Sequence, residues 1–142
     1  MGSSPSEIAA RFRLDGRIAL VSGAGRGIGR SVALALARAG AEVLLMARTR
    51  DEIEQAAGEI RESGGQARAV PCDVTDAAAL AQAFAAITRL DVLVNSAGTN
   101  IPEPFVEVTE AHLDTLVGLN VKAAFRVAQA AARKMLEAAD RK

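Results

Sequence analysis

Ile18-Ala-Leu-Val-Ser-Gly-Ala-Gly-Arg-Gly-Ile-Gly-Arg30 passes from a short apolar run through a glycine-rich turn into an apolar-periodic segment. A strand, a tight turn and a helix are expected in that order. Glycine is suited to turns that need a positive φ and to places where the backbone must touch a ligand. The helix that follows directs unpaired N–H groups and its positive dipole end at the turn, which favours an anion there. The stretch therefore reads as a cradle for a phosphate-bearing ligand.

Similar punctuation continues along the chain. Ile18–Val21, Val43–Met46, Ala67–Val70 and Val92–Val94 are apolar or mixed runs bounded by turn residues, and three of them read as strands buried on both faces. Helical patterns fill the gaps. Residues 28–39 are rich in Ala, Leu and Val and stop at Gly40, a suitable helix end. Ile53, Ala56, Ala57 and Ile60 share one helix face, Thr49-x-x-Glu52 has the form of a capping box, and Gly64-Gly65 closes the segment. Leu80, Phe84 and Ile87 belong to a third helix beginning near Thr75-Asp76. Thr109 is expected to cap a fourth, from Glu110 towards Asp140. This β-α alternation predicts an α/β fold: a doubly wound parallel sheet of the Rossmann type, incomplete, with about four strands and flanking helices. Ligands of such sheets bind at the carboxyl ends of the strands, so Ser22–Gly29, Ala47–Thr49, Cys72–Val74 and Asn95–Thr99 should meet on one rim.

Composition narrows the function classes. With 142 residues, 50% of them hydrophobic, the chain suffices for one core and not two. Residues 1–11 are expected to be a flexible tail and 12–142 a dinucleotide-binding domain. Seventeen basic residues balance seventeen acidic ones, which gives no global field for nucleic acid or an anionic membrane surface. The balance hides an asymmetry, since residues 1–50 carry eight arginines against three acids. One cysteine, Cys72, and one histidine, His112, offer neither a disulfide nor a metal cluster, so no metal site is expected. Cys72 reads as a packing residue and His112 as a helix-surface residue. No run reaches the roughly 20 apolar residues of a membrane span, and Met1–Ser6 lacks a signal-peptide core. A cytoplasmic location is the expectation.

The glycine spacing departs from the G-x-G-x-x-G dinucleotide fingerprint. Ser22-Gly-Ala-Gly-Arg-Gly-Ile-Gly29 instead resembles the TGxxxGIG signature of the short-chain dehydrogenase/reductase family, with Ser22 in place of Thr. Asp73-Val74, Asn95-Ser-Ala-Gly98 and Asn120 follow in the order of that family's adenine-contacting Asp, its NNAG segment and its catalytic Asn, and the likeness covers residues 12–142. Ser96 replaces the second Asn of NNAG, and Phe84–Leu90 is shorter than the usual lead-in to the fourth strand. By this resemblance the cofactor-binding residues would be Gly23, Gly25, Arg26, Gly27, Ile28, Gly29, Arg48, Asp73, Val74, Asn95, Ala97 and Gly98. Asn120 would be catalytic. The family's Ser and Tyr-x-x-x-Lys centre lies beyond Lys142, and the sequence contains no tyrosine, so the resemblance implies the cofactor-binding part of an oxidoreductase, inactive alone.

Cofactor preference turns on Met46-Ala-Arg-Thr-Arg50. An NAD site places an acid at this strand end, whereas arginine suits a 2′-phosphate. NADP(H) is expected over NAD(H), which stays open. The substrate would be a small-molecule carbonyl or alcohol, turned over by hydride transfer. A homo-oligomer or a complementary C-terminal fragment is the expected partner, because the fourth strand should form an open edge and Leu113, Leu116, Val117, Val121, Ala124, Phe125 and Ala128 an apolar face. The alternative function is a non-catalytic nucleotide-binding or assembly module. Valine at Gly23 or Gly29 is expected to fill space meant for the pyrophosphate and so to abolish binding more than folding.

Overall fold

The computed structural model describes residues 9–139, so residues 1–8 of the expected tail and the helix end at Asp140 lie outside the described span. Four strands, β1 (Ile18–Ser22), β2 (Glu42–Ala47), β3 (Gln66–Pro71) and β4 (Val92–Asn95), form one sheet in the order β3-β2-β1-β4. Every pairing is parallel, as short strands joined by helices require. The helices are α1 (Gly27–Arg38), α2 (Arg50–Glu62), α3 (Ala77–Ala85), α4 (Glu110–Val117) and α5 (Ala124–Ala139), with a π-helical segment, Gly118–Ala123, joining the last two. The sequence pattern had suggested one helix for that whole region. A π turn carries one extra residue, so side chains before and after it face differently than an unbroken α-helix would set them.

Strand alternation divides the core in two. Leu20, Leu44 and Met46 pack on one face with Leu80 and Phe84 of α3 and Val127 and Ala131 of α5. Ala19, Val21, Val43 and Leu45 pack on the other with Ala33 of α1 and Ile53, Ala56 and Ile60 of α2. Each large aliphatic side chain fully removed from water stabilises the fold by about 1.5–3 kcal/mol. β1 and β2 are buried on both faces, as predicted. Val92–Val94 is only half-buried, a departure from the expectation of strands buried on both faces, because β4 is an outer strand of the sheet that the described residues form.

Helix ends follow local chemistry with one correction. Gly40 takes φ +104° just after α1, and Gly64 takes φ +83° after α2, where Gly64 N donates to the Arg61 carbonyl and Gly65 N to that of Ile60. Asp76 caps α3 by accepting from Ala78 N and Ala79 N, and Thr109 caps α4 by accepting from His112 N. Thr49 does occupy the cap position of α2, but its side chain makes no capping bond. The capping box is not formed, because Glu52 lies against Gly25 rather than reaching back to the start of its helix. Asp73 takes no part in capping α3: its carboxylate accepts from Thr75 N and the Thr75 hydroxyl, and that helix starts beside Asp76 as expected.

Candidate functional site

Register aligns the strand ends. Ser22 pairs with Met46 on one side and Asn95 on the other, and Met46 pairs with Val70, so the carboxyl ends of all four strands stop along one rim. The loops leaving them enclose a cleft of about 560 Å³. Gly23, Gly25, Arg26, Gly27, Ile28 and Gly29 line it from the turn, Arg48 from the end of β2, Asp73 and Val74 from the end of β3, and Ala97 and Gly98 from the end of β4. Eleven of the thirteen residues singled out from sequence thus share one cavity. Asn95 and Asn120 do not line it.

Those two residues hold the cleft wall instead. The Ser22 side chain is fully buried; its hydroxyl donates to Asn95 Oδ1 at 2.8 Å and accepts from Ser96 N at 3.1 Å and Ala97 N at 3.2 Å. Asn95 Nδ2 in turn donates to the Ala124 carbonyl at 2.7 Å, which ties the end of β4 to the first residue of α5. Asn120, on the π segment, grips the next loop with both ends of its amide: Oδ1 accepts from Thr99 N at 2.9 Å and Nδ2 donates to the Thr99 carbonyl at 2.8 Å. His112 is less of a bystander than its sequence setting suggested. Its Nδ1 lies 2.9 Å from both carboxylate oxygens of Glu103, joining α4 to the same loop.

The glycines are explained differently from the expectation. A Cβ on Gly23 (φ +69°) would stand 2.8 Å from Ala97 Cα, Ala97 N and the Ser96 carbonyl oxygen, and one on Gly29 would overlap the Gly23 carbonyl. Gly23 is glycine because the turn packs against the segment after β4, and Gly29 because the start of the helix packs against the turn, so valine at either strikes backbone before any ligand. Only Gly27 in this turn opens outward: at φ +55°, its Cβ would meet nothing within 4 Å. There the helix also begins unguarded, with Arg26 extended at the cap position, no side-chain cap and no acid in the first turn of α1. An anion at this end would meet free N–H groups.

Charge at the cleft is mixed. Asp73 is held below the usual carboxylate range by the Thr75 hydroxyl and amide, with Arg48 adding attraction against a cost of burial. Burial beside Asp73 and Asp76 pushes the Cys72 thiol up, so it is a poor nucleophile where it lines the cleft. Glu52, Thr75 and Leu119 also line the cleft and were missed in the sequence. Glu52 had a faint signal, since the first turn of any helix leaving a strand's carboxyl end faces the same rim. Among the described residues no group of His, Cys, Asp and Glu side chains could hold a metal ion, and no helix is long and apolar enough to cross a membrane.

A doubly wound sheet with this turn and these loop ends defines a class of nucleotide-binding proteins. The family model of short chain dehydrogenase matches residues 17–141, and the chain belongs to that family. It is 42% identical over 123 residues to an L-xylulose reductase of Mus musculus, an alignment covering 87% of this chain and 49% of the relative. Among solved structures it superposes with TM-score 0.83 at 41% identity on a Beutenbergia cavernae protein described as an NAD(P) dependent gluconate 5-dehydrogenase with NADP bound at low occupancy, over 89% of this chain and 51% of that one. A 7α-hydroxysteroid dehydrogenase complexed with NADH matches with TM-score 0.83 at 35% identity, over 89% and 51% of the two chains. The chain spans about half the length of the relatives it matches.

Proposed function

We propose that this chain supplies the cofactor-binding part of an NADP(H)-dependent oxidoreductase acting on a small-molecule carbonyl or secondary alcohol. The observation that carries the cofactor reading is the cleft itself. An uncapped helix start opens into it at Gly27, Arg26 and Arg48 line it, and the end of β2, Ala47-Arg48, brings no carboxylate. The glycine turn would hold the pyrophosphate, Arg48 and Arg26 the 2′-phosphate, and Asp73 with Val74 the adenine. When bound, the nicotinamide supplies the hydride, or accepts it. Asn120 keeps the loop at Thr99 in place beside the cofactor.

The test is a titration of NADPH and NADH against wild type and Arg48→Ala. A charge-assisted contact to phosphate is worth about 1.5–3 kcal/mol, so the variant should lose about tenfold or more in NADPH affinity and little in NADH. Equal losses for the two cofactors overturn the preference.

Turnover needs a proton donor, and the family's Tyr has no counterpart in a sequence without tyrosine. The chain by itself is therefore inactive in this reading: it either self-associates or is held by a complementary segment, and only a segment bearing the Ser and Tyr-x-x-x-Lys centre restores turnover. Among the described residues β4 is an outer strand with an unpaired edge, and Val121 and Phe125 leave 59% and 66% of their surface exposed. Sedimentation at micromolar concentration, with NADPH oxidation followed before and after such a segment is added, checks both points. A stable monomer or unaided turnover would refute them.

A further inference from the structure

Among the described residues three charged side chains line the cleft with neither an ion-pair partner nor a side-chain hydrogen bond: Arg26, Arg48 and Glu52. Their neighbours differ. Asp73 is bonded to Thr75, Arg50 and Arg61 face Glu54, and Arg30 pairs with Glu59. Two free arginines in a phosphate cleft are readily understood as waiting for an anion. A free carboxylate beside them is not, since it repels the same ligand.

The position of Glu52 is specific. Its Oε2 lies 2.5 Å, its Cβ 3.1 Å and its Cδ 3.5 Å from the point where a Cβ on Gly25 would stand. The carboxylate is therefore laid against the bare backbone of the turn at Gly25, in room that a side chain there would have to share. An acid so placed, with acceptor lone pairs and no donor on the protein, suits a ligand that brings its own donors. The hydroxyls of a ribose are such donors.

We infer that Glu52 is a cofactor-selecting residue: its carboxylate accepts from a ribose hydroxyl of an unphosphorylated adenosine end and opposes the 2′-phosphate that Arg26 and Arg48 attract. Cofactor choice is thus set by competition between charges of opposite sign, and the acid that the end of β2 lacks is supplied from the first turn of α2. The inference rests on the nucleotide-binding reading above and adds to it a residue that favours the other cofactor.

The test uses 5′-AMP and 2′,5′-ADP, which differ only at the 2′ position, alongside NADH and NADPH. Their affinities are measured for wild type, Glu52→Gln and Glu54→Gln. Glu52→Gln keeps the volume and removes the charge, and should raise the ratio of 2′,5′-ADP to 5′-AMP affinity about tenfold, with the NADPH to NADH ratio following. Glu54→Gln removes the same charge from the arginine-facing side of α2 and should leave both ratios unchanged. Glu52→Asp, which shortens the reach of the acid, should move the ratios in the same direction by less. An unchanged ratio in Glu52→Gln, or an equal shift in Glu54→Gln, overturns the inference while leaving nucleotide binding intact. If wild type binds none of the four compounds, the cofactor reading fails and this inference fails with it.

Discussion

Replacing Gly23 or Gly27 by alanine adds the same methyl group at nearly the same backbone conformation, φ +69° and +55°, and the two changes should differ sharply. Left-handed backbone costs an L-residue about 1–2 kcal/mol, and both variants bear that cost. At Gly27 nothing more is added, because the new Cβ points into open space. At Gly23 it meets three backbone atoms of the segment after β4 at 2.8 Å. Those atoms are also pinned, since Ser96 N and Ala97 N donate to the buried Ser22 hydroxyl. Overpacking against backbone costs about 3 kcal/mol, and prising these amides from Ser22 about 1 kcal/mol more. The difference of about 4 kcal/mol corresponds to roughly 12 °C in Tm for a domain of this size. Melting followed by circular dichroism at 222 nm reads it directly. Melting temperatures within about 3 °C of each other would show that the Gly23 contact does not constrain the turn, and would restore the simpler view that its missing side chain makes room for a ligand.

Three further outcomes are expected. The Asp91 carboxyl is pushed up by burial, but the Ile18 amide and the Arg89 and Arg17 guanidinium groups outweigh this and hold it below its ordinary value. A depressed carboxyl stabilises the fold above the unfolded-state pKa of about 3.9 and ceases to as pH falls through its folded value, so Asp91→Asn should cost about 1 kcal/mol at pH 7 and little at pH 2. Urea midpoints at the two pH values measure this, and an equal loss at both contradicts it. Asn120→Ala removes both bonds to Thr99 and should speed hydrogen exchange at the Thr99 amide about tenfold; unchanged exchange would mean the loop is held by other contacts. Cys72, buried and with its thiol pushed up, should react with iodoacetamide far more slowly than free cysteine at pH 7.5, and more slowly still with saturating NADPH. Protection by the cofactor is the sharper half, because a cleft that bound elsewhere would leave the rate alone.

The sheet was legible because its signals are local and redundant. Val43–Met46 can be little other than a strand buried on both faces, and the turn glycines at 23–29 announce both the strand before and the helix after. Convergence of four loop ends then followed from the topology alone, which is why most of the cleft could be named from sequence. What escaped depends on contacts between distant residues. Nothing near Glu52 shows that it will lie on Gly25, and a reader of Thr49-x-x-Glu52 is drawn to the capping box it could form but does not. That Asp73 turns its carboxylate onto Thr75 is likewise invisible in the sequence, although the start of α3 near Thr75-Asp76 is not. What excludes a side chain at Gly23 is hidden for the same reason: a space that holds a ligand and a space that holds Ala97 look identical in a string of letters.

The π segment at Gly118–Ala123 bears on how this gene can change. An α-helix turns 100° per residue, so a further codon beyond the extra residue that the π turn already absorbs would swing everything on one side of the segment by that angle, and losing one would close the turn that presents Asn120. Upstream lies His112 on Glu103, downstream lies the Ala124 carbonyl on Asn95, and between them Asn120 holds Thr99. No rigid rotation keeps all three attachments. Substitutions here can be absorbed one contact at a time, whereas a length change of one residue breaks the wall of the cleft in a single step, so this stretch should be far less permissive to insertions and deletions than to missense change.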